Sequence, residues 1–336
     1  MKKIIIPYVF LLSLLFIPLS KCDYSSIAMI DNVIDSNVIK TVPKAVRGST
    51  GWGFFAEFLW AINHLHWCFT HNFTPVIYWG QPFAYFQNTG YNGTYNGWEY
   101  YFNSVSNASY KLGEHLFLDI FYPDNNFTAI WNYPQYIQNL HLLINKPENK
   151  VIKVSNGKFP QTHSYPVSKH HLYNEEFRHY VKGTIIDKFI HIKKSVTDKL
   201  EAFYQKNMAG KRTIGIHLRG KFLGNEVPPI SPDFLMYHAN LFADGKTQFF
   251  IATDQAPLLE VAKKQLRGKV IFYESQRFNS TSSPVAGQAK LHPILGENIL
   301  IEMLLLSRCD HLIHTLSNVS TTALYFNPVL KHTLLY

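Results

Sequence analysis

LGENILIEMLLLSRCDHLIHTLSNVSTTALYFN, residues 295–327, is the stretch on which the fold turns. From Ile299 to Leu306 apolar side chains fall nearly all round a helical wheel, the pattern of a helix buried on every side. Glu302 lies inside this run, where an ionised carboxylate is costly unless it is paired. Ser307-Arg308-Cys309-Asp310 break the run, and His311 to Thr315 has the length and composition of a strand. Ser317-Asn318-Val319-Ser320 then leads into Thr321-Thr322-Ala323-Leu324, and Ser320 reads as the N-cap of a second helix. Backbone N–H groups and the positive end of a helix dipole collect at such a cap, an anion site whose usual occupant is phosphate. A helix, strand and cap with no ligand is an equally open reading of this stretch alone.

Working upstream, strands and helices alternate. Thr213 to Leu218, Phe249 to Ala252 and Val270 to Tyr273 read as strands, with helices over Pro232 to Leu241 and Pro257 to Leu266 between them. This is the rhythm of a parallel sheet covered by helices on both faces. Ligands of such sheets gather at the carboxyl ends of the strands. Three loops fall there: Arg219-Gly220, Thr253-Asp254 and Ser317-Asn318. A guanidinium, a carboxylate and a cup of backbone N–H groups at one edge suit a nucleoside diphosphate. Arg219 can hold phosphate bidentately, Gly220 leaves room beside it, and Asp254 can accept from a base or ribose.

The first half of the chain is less regular. Gly51-Trp52-Gly53 opens a helical pattern running to about Thr70, with Phe55, Phe58, Leu59, Ile62 and Leu65 on one face, and Pro75 to Trp79 follows as a strand. Gly51 and Gly53 allow close approach of backbone to a ligand, or form a simple tight turn. His64 and His66 cannot face one way on a helix, so they suggest no metal site. The segment from Gln81 to Asn107 is rich in Tyr, Phe, Trp, Asn and Gly. Its aromatic faces could stack on sugar rings, or simply pack on the domain. His170 to Tyr180 reads as helical, and Gly183 to Gln205 as a longer helix with Ile185, Phe189, Ile192, Val196 and Leu200 inward. A domain boundary is expected near Met208-Ala209-Gly210.

With 336 residues the chain is long enough for two domains. Its 46% hydrophobic and 16% charged residues exclude an intrinsically disordered protein. The formal charge of +9 points to an anionic partner. No Arg-rich arm, zinc pattern or aromatic RNA-binding segment accompanies it, which argues against nucleic acid. Met1-Lys2-Lys3 followed by apolar residues from Ile4 to Leu19 fits a secretory signal peptide over residues 1–22, or a signal-anchor that remains uncut. Membrane contact is expected only through that segment. Export implies a Golgi or endoplasmic-reticulum lumen in a eukaryote, and an extracytoplasmic site otherwise. Cys68 and Cys309 lie in apolar surroundings as small core residues, with a bridge between them as the alternative. Sequons occur at Asn72, Asn92, Asn107, Asn126, Asn279 and Asn318, the last too near the proposed site to carry a glycan.

Three segments, GIHLRGKFLGNEV, FFIATDQ and the stretch at 295–328, resemble the short motifs of the fucosyltransferase superfamily. That superfamily includes the α-1,6-fucosyltransferases, the nodulation fucosyltransferases and the protein O-fucosyltransferases. The motifs cover the last third of the chain, and GWGFFAEFLWAINHLHW resembles the Gly-rich entry to the family's N-terminal domain, the loop of Gly51 and Gly53. The resemblance implies an α/β protein of the glycosyltransferase B type, two Rossmann-like domains facing a cleft. Residues 23–208 would form the acceptor side and residues 209–336 the nucleotide-sugar side. It further implies an inverting transferase that needs no metal or other cofactor, takes a GDP-sugar, usually GDP-fucose, and transfers to a glycan or glycoprotein acceptor.

By position, Arg219 matches the arginine that grips the donor diphosphate, with His217 and Gly220 beside it. Asp254 matches the acidic donor contact, Glu302 an acidic residue of the third motif and Ser317 the phosphate-side serine, with Asn318 and Ser320 completing the donor set. Glu226 falls near the general base, so Glu226 and Arg219 are the expected catalytic pair. The sequence departs from the family where Lys221-Phe222-Leu223 follow Gly220 in place of Thr-Asp-Lys. The alternative is accordingly an inactive descendant that binds nucleotide or glycan without turnover. A polyanion-binding protein, which would show strong salt dependence and no nucleotide preference, is a third reading.

Overall fold

The alternation read in the second half resolves, in a computed structural model, into a five-stranded parallel sheet. The structure describes residues 44–49, 53–70, 74–110, 175–218, 230–279, 291–315 and 317–335, all within one unit, residues 42–336. The leader at 1–22, Gly51, Arg219, Gly220 and Glu226 lie outside the described residues.

The first half contributes β1 (Lys44–Gly48) and β2 (Thr74–Tyr78), a parallel pair joined through helix α1 (Phe54–Thr70). Helix α2 (Glu175–Val181) continues through a π turn, Lys182–Ile186, into a last turn, Asp187–Phe189, and α3 (Lys194–Asn207) follows. The second half runs β3 (Thr213–Leu218), α4 (Pro232–Asn240), β4 (Gln248–Thr253), α5 (Ala256–Gln265), β5 (Lys269–Ile271), α6 (Pro293–Leu306), β6 (His311–His314), α7 (Asn318–Phe326) and β7 (His332–Leu334). The sheet order is β5-β4-β3-β6-β7, and each neighbouring pair is parallel. β3 and β4 are buried along their whole length, as central strands covered on both faces must be. From β3 the chain steps outward to β4 and β5, then returns to β6 and β7 on the opposite side. The direction of winding therefore reverses between β3 and β6, and the carboxyl end of such a junction is where open parallel sheets bind ligands.

Helix α6 is buried nearly all round, as its composition requires, and joins the residues of α1 in one continuous apolar core. A second core, with Ile214, Ile216, Leu235, Phe249, Ile251 and Ile313, fills the other face of the sheet. Gly215 makes room between α6 and the sheet: a Cβ there would lie 2.9 Å from Cys309 Sγ and 3.1 Å from Leu306 Cδ2.

The aromatic segment resolves toward packing. Phe83, Tyr85, Trp98, Tyr100, Tyr101 and Phe102 are all buried, and Phe54 of α1 meets the rings of Phe83, Tyr85, Tyr101 and Phe102 at 5.0–6.4 Å. Asn96 organises the turn. Its Oδ1 accepts from the N–H groups of Trp79 and Trp98, and its Nδ2 donates to the carbonyl of Ile77. Removing six large rings from water stabilises this plug far more than a platform for ligands could.

Two readings of the sequence are corrected by the structure. The expected helix over 183–205 is interrupted, because residues 190–193 leave it to pair with the aromatic segment: Asn103 N–H donates to His191 O, and Lys193 N–H to Tyr101 O. Tertiary pairing overrides helical periodicity there. Both His64 and His66 are buried, so α1 is covered on more than the one face expected of it. Cys68 and Cys309 are buried and free, without a bridge, and burial pushes the Cys68 thiol up to about 12. No described helix is long and apolar enough to cross a membrane.

Candidate functional site

Two histidines sit at the β3–β6 junction. His217 near the end of β3 and His314 at the end of β6 are register partners, and both are buried. Burial, with His332 and His217 nearby, drives His314 down to about 3, so its ring is neutral. On its other side His217 pairs with Ala252 of β4; Thr253 ends that strand and Asp254 follows it. Asp254 is solvent-exposed at that edge.

Behind Asp254 lies a feature that motif reading missed. Phe278 N–H donates to Asp254 O at 2.8 Å, and Ala256 N–H to Phe278 O at 3.1 Å, pinning the segment after β5 against the end of β4. Arg277 is thereby held over Glu302 of α6. Its Nη2 donates to Glu302 Oε1 at 3.0 Å and to Tyr273 O at 2.9 Å, its Nη1 donates to Ser275 O at 3.1 Å, and its guanidinium lies 5.1 Å from the Phe272 ring. The two side chains are only 7% and 9% exposed. Burial pushes the Glu302 carboxyl up to about 8; Arg277 works against the rise, and the charge of Asp254 adds to it. Glu302, buried and with the charge of Asp254 nearby, is therefore disposed to hold a proton. Arg277 has no motif around it in the sequence, so only the pairing of 278 with 254 could have found it.

Beyond the end of β6 the cap of α7 corrects the sequence reading. The N-cap is Ser317, not Ser320: Ser317 is extended, at φ −160°, and its Oγ accepts from Val319 N–H. Ser320 sits inside the first turn, fully buried, and its single hydroxyl proton is shared between Thr315 O and Ser317 O, at 3.1 and 3.0 Å. Either serine satisfies the sequence preference for a cap, and only backbone geometry separates them. Ser320 is thus a brace for the cup rather than a group facing it. Asn318 opens the helix, half-buried. Gly53 stands before α1, where its carbonyl accepts from Ala56 and Glu57, and an added Cβ would meet nothing within 4 Å.

The structure thus brings together Asp254, Glu302 and the unforeseen Arg277 behind the end of β4, and His217 with His314 at the junction, next to the strand that leads to Ser317. Such an arrangement can hold an anion at a helix N-terminus and hydrogen-bond a polar ligand through a carboxylate.

No protein-family model and no curated protein sequence matches the chain. The chain is similar in structure to solved fucosyltransferases. NodZ α-1,6-fucosyltransferase co-crystallised with GDP aligns over 86% of this chain and 93% of its own, with 16% identity and a TM-score of 0.45. A mutant of Arabidopsis thaliana FUT1 in complex with GDP aligns over 95% and 75%, with 11% identity and a TM-score of 0.45. The apo form of POFUT1 aligns over 88% and 99%, with 10% identity and a TM-score of 0.41. Likenesses of this size assign no residue a role, and the functional reading rests on the chain's own side chains.

Proposed function

We propose that the chain is an inverting glycosyltransferase that needs no metal, transferring fucose from GDP-fucose to a hydroxyl of a glycan or protein. The observation that carries the reading is the switch of winding at the β3–β6 junction, whose carboxyl edge we take as the donor crevice. In sequence Arg219 follows the last residue of β3, Asp254 follows the end of β4, and the Ser317-capped α7 starts from the end of β6 at the same edge. In this reading residues 23–208 serve the acceptor and residues 209–336 the donor, and the leader brings the protein to a lumen supplied with activated sugars.

The chemistry follows from the residue types. Glu226 takes the proton of the acceptor hydroxyl as its oxygen attacks the anomeric carbon from the face opposite the diphosphate. The bond from that carbon to the diphosphate oxygen breaks, and the departing charge is met by Arg219 and the positive end of α7. Asp254 accepts hydrogen bonds from the donor, while Arg277 and Glu302 support that edge from below.

Glu226→Gln keeps shape and removes basicity, so donor binding is expected to survive while transfer falls by roughly 10²–10⁴. Full transfer by the variant dismisses Glu226 as the base. The Lys221-Phe222-Leu223 departure favours a second reading, a binding protein without turnover. Intact GDP binding with neither transfer nor donor hydrolysis by the unaltered protein selects it.

A further inference from the structure

Behind α7 runs a line of polar side chains, Arg178 and His314 buried and His332 half-buried, that the reaction above does not use. Arg178 of α2 lies 3.1 Å, through Nη1, from His332 Nε2; His332 Nδ1 lies 3.1 Å from His314 Nε2; and His314 Nδ1 lies 3.0 Å from the carbonyl oxygen of Thr315. Only one set of proton positions satisfies all three contacts. A carbonyl only accepts, so His314 carries its proton on Nδ1 and accepts at Nε2. His332 must then donate from Nδ1 and accept at Nε2, where the guanidinium, which only donates, is its partner. Both imidazoles are neutral, and every bond points from the buried cation toward Thr315. Burial of His314 favours this uncharged state. The same Thr315 carbonyl accepts the Ser320 hydroxyl, which also braces Ser317 O, the carbonyl that takes Thr321 N–H. The line therefore ends on the backbone beside the cap of α7.

We propose that Arg178, His332 and His314 are positioning residues, a polar strut from α2 through β7 and β6 that fixes Thr315 and Ser320 and so holds the α7 N-terminus in shape for an anionic ligand. Three elements distant in sequence, α2, β7 and β6, are linked in one line that ends on that carbonyl. A merely space-filling role would not require the proton positions to agree along the whole line, whereas a strut does. The proposal rests on the reading of the α7 cup as the diphosphate site and assigns it a support that sequence motifs do not contain.

Two substitutions of His332 separate the strut from bulk packing. His332→Leu removes both the bond to His314 and the acceptor for Arg178. His332→Asn keeps a donor amide near the Nδ1 position and so can still hold His314 in its tautomer. Calorimetric titration with GDP is expected to show about tenfold weaker binding for the leucine variant and at most about threefold for the asparagine variant. Amide hydrogen exchange over residues 317–323, read without ligand, is expected to speed up in the leucine variant and return toward the unaltered rate in the asparagine variant. Unchanged exchange in that segment for His332→Leu, or GDP affinities equal across all three proteins while only thermal stability falls, overturns the strut. If the unaltered protein binds no GDP, the donor-site reading fails instead, and the exchange pattern still decides whether the strut holds the cup.

Discussion

Replacing Glu302 by Gln probes the edge of the crevice through its effect on stability against pH. The glutamine keeps the acceptor that Arg277 uses and cannot ionise. In the unaltered protein the folded-state carboxyl titrates at about 8 against an ordinary value of 4.5. A carboxyl raised on folding contributes stability that is fully present below the unfolded value and is lost as pH rises through the folded one. The difference of about 3.5 units, at about 1.36 kcal/mol each, sets an upper bound of about 5 kcal/mol lost between pH 4.5 and 8. Glu302→Gln lacks that slope, so urea unfolding at pH 5, 6.5 and 8 is expected to show the variant gaining steadily on its parent. The opposite trend refutes the reasoning. If the carboxylate is ionised and paired at neutral pH, the variant instead loses on its parent as pH rises, by about 3–5 kcal/mol as when a buried ion pair is broken.

His314 gives the mirror slope. A histidine lowered to about 3 on folding leaves the unfolded chain to bind the proton first, so stability falls as pH drops from 6.5 toward 3. Acid titrations followed by circular dichroism should show this component in the parent and its loss in His314→Gln. Ser317→Ala removes the cap bond to Val319 and is expected to cost about 1 kcal/mol by denaturant unfolding, with GDP affinity weakened several-fold. Unchanged stability would move the cap elsewhere.

The second half of the fold was legible because its strands are short apolar runs set between amphipathic or wholly apolar helices, and β3, β4, β6 and α6 fall where periodicity puts them. β7 was not, since three residues of a terminal strand, His332–Leu334, carry no pattern of their own. The break at 190–193 and the burial of the aromatic segment depend on each other through Phe102, Ile192 and Tyr101, a pairing across some ninety residues that no window of sequence contains. At the site, Asp254 at the end of its strand and Glu302 within its helix were readable from position alone. Arg277, the partner of Glu302, and the line from Arg178 to His314 exist only because the topology brings remote elements together. The choice between Ser317 and Ser320 turned on a single backbone conformation.

The central claim is that the crevice takes a guanosine diphosphate, and the most direct test is binding of GDP and UDP to the unaltered protein and to Arg219→Ala, with thermal unfolding as the readout. GDP at about one hundred times its dissociation constant is expected to stabilise the unaltered protein by about 2.7 kcal/mol. UDP at the same concentration should give a markedly smaller rise, and Arg219→Ala should fold normally yet give none with either. Equal stabilisation by GDP and UDP, or a response to GDP that survives the loss of Arg219, contradicts the account.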